Sequence, residues 1–142
     1  MPSEPFGWAA RPAGYVALGW QYGRFAVVGL AATLVHVLVY AGSIEWLGRS
    51  PLEGNALGFA FGVNVSFIGH RRWTFAEERS AKVGRSLARF WSVALLGFAL
   101  NSLFVQLVTG TAGLAYGWAI PLIAGVTPIV TFALSKLWAF RD

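Results

Sequence analysis

The sequence predicts an all-α integral membrane protein, with four transmembrane helices built as two parallel helical-hairpin repeats. Three observations predict it. Hydrophobic residues make up 56% of the 142, and charged residues only 12%, about half the usual share of a soluble domain. Four apolar stretches reach the length that a helix needs to cross a bilayer, roughly 20 residues. The two halves of the chain also align at an offset of 65 residues. A water-soluble chain this short has too little interior to hide so much apolar surface. The mean hydropathy of +0.59 is that of a chain whose solvent is lipid.

The elements follow in order. Residues 1–23 read as an N-terminal tail, punctuated by Pro2, Pro5 and Pro12. It lacks the basic start and continuous apolar run of a signal peptide. Trp8, Tyr15, Trp20 and Tyr22 give it rings suited to resting on a membrane interface. Residues 24–142 form the transmembrane domain, with expected spans at 25–47, 54–75, 90–109 and 116–140. The connections around 48–51 and 110–115 are so short that each joins antiparallel neighbours. The middle connection, 76–88, is longer and polar, with room for a surface helix. In span two, Gly54, Gly58, Gly62 and Ser66 recur every four residues and allow close backbone approach. Packing within the monomer is favoured for this stripe, with a homo-oligomer as the other reading. Pro121 and Pro128 interrupt span four and predict a kink or broken helix.

Charge sets the expected orientation. The net charge is +5 and the pI about 10.3, but the basic residues flank apolar spans. Membrane topology and lipid phosphate therefore explain them better than nucleic acid. Arg71, Arg72, Arg79, Lys82, Arg85 and Arg89 cluster around the middle connection, with Arg11, Arg24, Lys136 and Arg141 near the ends. Only Arg49, of eleven, falls on the other side. Both termini and the middle connection are expected in the cytoplasm, in a multi-pass protein of the inner membrane. With no cysteine, disulfides and thiolate metal sites are excluded. No catalytic set, phosphate-binding Gly-rich loop, cofactor site or metal site is expected.

The repeat relates 24–77 to 89–142, with 11 of 54 positions identical. Its weight lies in the matching ends, because Arg-Phe opens and Trp-x-Phe closes each half. Within the spans it pairs His36 with Asn101, Ser66 with Thr131, and Arg71 with Lys136. Arg24 and Arg89 form a further pair. Four cations, Arg71, Lys136, Arg24 and Arg89, are thus expected around one mouth, where they suit a lipid phosphate. The alternative is that they snorkel to headgroups and fix topology. Polar groups inside spans are costly and usually face the interior. His36, Asn64, Ser66, His70, Asn101 and Thr131 are accordingly the candidates for a polar path. For His36 a plain interhelical hydrogen bond, with Asn101 as a candidate partner, is favoured over a proton relay. Glu45 and Glu53 lie near the opposite end, solvated or available to sugar hydroxyls or a proton.

These residues resemble a known family. Arg24-Phe25-Ala26-Val27-Val28-Gly29 is similar to the start of GtrA-like proteins. Asn64-Val65-Ser66-Phe67-Ile68-Gly69-His70-Arg71-Arg72-Trp73-Thr74-Phe75 resembles that family's second-span ending, and residues 131–140 its fourth. His70 departs from the pattern, where Asn is expected before Arg. The resemblance implies translocation of a polyprenyl-phosphate-linked sugar across the cytoplasmic membrane, for cell-surface polysaccharide or glycolipid synthesis. It implies no enzyme activity. It also leaves open a scaffold that recruits a polyprenyl-phosphate glycosyltransferase. A small proton-coupled exporter is a weaker alternative, since it calls for an acid deep in a span.

Overall fold

The computed structural model describes residues 12–74 and 83–134. It is all-helical: α1 spans Pro12–Leu47, α2 Pro51–Gly69, α3 Val83–Val105 and α4 Thr127–Leu134. α1 starts well before the expected span, so the second half of the expected tail is helix. The physical reason is that Pro12 is the last proline of the tail and is tolerated in a first helical turn. Residues 1–11 lie outside the described residues, as do 75–82 and 135–142, so the expected surface helix of 76–88 is described only where α3 begins.

Short sequence signals make the two hairpin loops. Ser50-Pro51-Leu52-Glu53 is a capping box with proline at the first helical position. The Glu53 amide donates to Ser50 Oγ at 3.3 Å, and the Ser50 amide donates to Glu53 Oε2 at 2.9 Å. That backbone hydrogen bond, with the Ser50 hydroxyl, holds the Glu53 carboxyl below its usual range. Ahead of this start, α1 ends on Gly48 at φ +60°. The Arg49 amide reaches back to the Ser43 carbonyl at 3.1 Å. The second loop repeats the device, with Gly113 at φ +63° and the Leu114 amide on the Val108 carbonyl at 2.9 Å. In each loop a glycine in the left-handed conformation turns the chain back so that this bond can form, and glycine takes that conformation without a Cβ clash.

The second half is less regular. α3 passes into a π-helical stretch, Gln106–Thr111. The last stretch opens as a 3-10 turn at Tyr116–Ala119, crosses a π-helical stretch at Leu122–Val126 and only then enters α4. Pro121 and Pro128 cannot donate to an α-helical ladder. The register slips instead, and the Thr127 amide bonds to the Leu122 carbonyl. Thr127 Oγ1 lies 3.4 Å from the same carbonyl. α2 likewise ends in a π turn, His70–Thr74.

Burial runs opposite to that of a water-soluble protein. Leu30, Leu34, Leu38, Phe61, Leu95, Leu103 and Ile129 are exposed, whereas His36, Ser43, Asn55, Asn101 and Thr127 are buried. Lipid tails are as apolar as leucine, so a helix in lipid turns its polar groups inward. Tyr22–Leu47 and Ala88–Thr111 are long and apolar enough to cross a bilayer.

α1 packs against α2, α2 against α3, and α3 against α4, while α1 also meets the π-helical stretch Leu122–Val126. The glycine stripe makes the first of these contacts. A Cβ on Gly58 would lie 2.5 Å from His36 Cδ2 and 2.6 Å from the His36 carbonyl oxygen, and one on Gly62 would lie 2.9 Å from the Ala32 carbonyl oxygen. The stripe therefore packs inside the monomer. A small core of Tyr40, Val105, Ala119 and Ile123 joins α1 to the second hairpin near the loop end.

Candidate functional site

Two places gather the polar side chains: a chain of hydrogen bonds between the helices, and the basic end of the bundle. The first grows from the close approach of α1 and α2. Because Gly58 and Gly62 have no side chains, His36 fits between the helices. Its Nε2 lies 3.1 Å from Asn55 Oδ1, which can only accept, so Nε2 carries the proton. Asn55 in turn donates from Nδ2 to Ser102 Oγ on α3 at 3.0 Å. His36 does not pair with Asn101. Asn101 takes a hydrogen bond from Thr127 Oγ1 at 2.5 Å. The interhelical hydrogen bond of His36 thus forms, but with a partner on the helix packed closest to it and not with Asn101.

The remaining predicted polar positions are spread out. Thr131 is half-buried and donates to the Thr127 carbonyl at 2.9 Å, within its own helix. Ser66 is half-buried on α2. Asn64 is exposed, with its Nδ2 donating to the Ala60 carbonyl at 2.7 Å, and so stands apart from the inward-facing set. Among the described residues, no buried side-chain nitrogen or oxygen lacks a hydrogen-bond partner.

At the basic end, His70 is buried and stacks on Phe25, with ring centroids 4.5 Å apart. Phe90 meets the same imidazole edge-on at 6.3 Å. This aromatic group ties α1 at Phe25 and α3 at Phe90 to the end of α2. Arg24 donates from Nη1 to the Trp73 carbonyl at 3.4 Å, and its guanidinium carbon lies 5.8 Å from the Trp73 ring centroid. Arg89 is half-buried and also engaged. Arg71 and Arg72 are exposed. The structure therefore brings Arg24, His70 and Trp73 together. Lys136, the expected partner of Arg71, lies outside the described residues.

Asn55 and Ser102 are not among the candidates that the sequence singled out. The available signal was the position of Asn55, which shares a helix face with Gly58 and Gly62. The link between hairpins at the loop end was also missed in the sequence. There, buried Tyr40 donates to the Tyr116 carbonyl at 3.2 Å, and the Tyr116 hydroxyl donates to Glu45. Among the described residues, no three His, Cys, Asp or Glu side chains gather as a metal site would require.

The profile of the GtrA/DPMS transmembrane domain family matches residues 24–140. The chain belongs to this family. The GtrA/DPMS match begins at Arg24 and takes in both hairpins, the buried polar residues and the basic end. It makes the chain an integral membrane protein and accounts for its apolar exterior. No curated protein and no solved structure matches the chain.

Proposed function

We propose that this protein moves a polyprenyl-phosphate-linked sugar from the inner to the outer leaflet of the cytoplasmic membrane, for surface polysaccharide or glycolipid synthesis. The observation that carries the reading is the combination of an apolar exterior, a polar interior and a cationic end in a GtrA/DPMS-family chain. A sugar headgroup crosses hydrocarbon only with polar partners along the way, and the lipid tail stays in the bilayer. His36, Asn55, Asn101, Ser102 and Thr127 offer such partners once their mutual hydrogen bonds open. Arg71 and Lys136 hold the phosphate, with Arg24 and Arg89 assisting. The chain performs no covalent chemistry, and consumption of the lipid on the outer side drives net flux.

Both termini lie in the cytoplasm in this reading, with the Arg24 end inward. The two hairpins are parallel repeats, and several pairs of positions 65 apart support this. Tyr40 and Val105, His36 and Asn101, Gly54 and Ala119, Gly58 and Ile123, and Gly62 and Thr127 are all buried. Gly48 and Gly113 share a positive φ. Parallel repeats of this kind place transporter sites at their interface.

Reconstitution in liposomes with a labelled lipid-linked sugar tests the function. The wild-type protein is expected to speed flipping, and an Arg71→Ala, Lys136→Ala double variant to lose most of that rate. Unchanged flipping in the double variant removes the proposed phosphate site. A second reading, a scaffold that recruits a glycosyltransferase, is favoured by the continuation of α1 back to Pro12, beyond its apolar stretch. Co-purification of that enzyme with a protein that flips nothing supports the scaffold.

A further inference from the structure

Between α1 and the π turn that ends α2 lies an open furrow of about 440 Å³, lined by Gly19, Trp20, Gly23, Arg24, Val27 and Trp73. We propose that this furrow receives the glycosylated phosphate headgroup of the lipid before it enters the bundle: phosphate on Arg24, sugar ring in the trough between Trp20 and Trp73, and prenyl chain leaving past Val27. The proposal rests on the lipid-flipping reading and gives it an entry site that the paired cations do not supply.

The trough has a local cause. Gly19 and Gly23 are one helical turn apart, and among the described residues a Cβ built on either would meet nothing within 4 Å. Among the described residues the space is therefore open along one face of α1. Its volume falls within the range of small-molecule sites. The walls are almost all carbon, apart from one guanidinium. That pattern suits a ligand with an anion at one point and apolar surface on either side of it. A pyranose has such a surface, because its C–H face lies flat on an indole while its hydroxyls stay in water.

The cation is set for a phosphate. One guanidinium nitrogen of Arg24 is committed to the Trp73 carbonyl, and the ring of Trp73 fixes its height. The rest of its planar fork remains to take phosphate oxygens. Depth agrees as well. The apolar segment of α1 starts at Tyr22, so Gly19 and Trp20 stand about one turn outside it, in the headgroup layer. Val27 lies on the hydrocarbon side of Arg24. Phosphate, sugar and chain thus meet matching surfaces in the order in which they occur along the lipid. An ordinary diacyl phospholipid offers the anion but no ring for the trough.

Binding to the full chain in neutral phosphatidylcholine nanodiscs tests this, with farnesyl phosphate and its glucosyl phosphodiester as probes. The glycosylated probe is expected to bind more tightly. Arg24→Gln is expected to weaken both probes about tenfold or more, the scale of a lost charge-assisted hydrogen bond. Gly23→Leu fills the trough and is expected to weaken only the glycosylated probe. Gly19→Leu is a second variant of the same kind, and both substitutions favour the helix. The proposal is overturned if Gly23→Leu and Gly19→Leu leave the glycosylated probe's affinity unchanged. It is also overturned if phosphatidylglycerol competes as well as the glycosylated probe. Flipping measured in parallel separates the two readings. Wild-type protein that binds in the expected pattern but does not flip removes the transport function and keeps the site. Flipping that depends on Arg71 and Lys136 but ignores Gly23→Leu removes the site and keeps the function.

Discussion

Replacing Gly58 with alanine tests the close contact on which the buried polar chain depends. The new methyl group would sit 2.5 Å from His36 Cδ2 and 2.6 Å from the His36 carbonyl oxygen. The imidazole can turn aside, but the carbonyl belongs to α1, so the helices must separate. Overpacking of this kind costs about 1–3 kcal/mol. Turning the ring also breaks its hydrogen bond to Asn55, worth about 0.6 kcal/mol in membrane proteins. Alanine returns at most about 1 kcal/mol of helix propensity. The expected net loss is about 1–3 kcal/mol. Reversible unfolding of the purified protein in mixed micelles measures it, with Gly19→Ala as control. Among the described residues a Cβ at Gly19 meets nothing within 4 Å, so that variant is expected to be neutral or slightly stabilised. Equal stability of Gly58→Ala and Gly19→Ala would refute the helix contact, and with it the placement of His36.

Two further outcomes are expected. Asn55 bridges His36 to Ser102, so Asn55→Leu should destabilise by about 1–2 kcal/mol in the same assay, and a double-mutant cycle of Asn55→Ala with Ser102→Ala should give a coupling of about 0.6 kcal/mol; zero coupling contradicts the bridge. The Glu53 carboxyl is held below its usual value of 4.5 by the Ser50 amide and hydroxyl, so its contribution is complete above pH 4.5 and is lost as pH falls through the lowered folded value. The protection factors of the Glu53 and Gly54 amides, taken relative to the intrinsic exchange rate at each pH, should therefore fall in acid; Ser50→Ala should lower them about fivefold at neutral pH, the size of one lost cap, and flatten the acid response.

The sequence and the fold agree most closely where a local pattern is sufficient. Ser50-Pro51-Leu52-Glu53 carries its own capping geometry, and the loop is where it was expected. Gly48 and Gly113 stop helices because only glycine enters the left-handed region cheaply. Pro121 and Pro128 marked the irregular helix correctly, because a missing amide acts on its own ladder. The start of α1 was less legible. Nothing between Pro12 and Arg24 breaks a helix, yet nothing there demands one either, and the mixed apolar and aromatic residues suit a coil on the interface equally well.

The sequence by itself determined that this chain is an all-helical membrane protein of the GtrA/DPMS family, with polar residues inside its apolar stretches. Composition and the length of the apolar stretches are enough for the membrane architecture, because bilayer thickness and the cost of exposing backbone to lipid leave few alternatives, while the motifs at 24–29, 64–75 and 131–140 carry the family. Only the tertiary structure decided which polar residue bonds to which. His36 with Asn55, Asn55 with Ser102, Asn101 with Thr127, and Arg24 over Trp73 are contacts between helices. Their geometry depends on interhelical distance and rotation. Those are set by the summed packing of small residues such as Gly58 and Gly62 against the facing backbone, which no local stretch of sequence records.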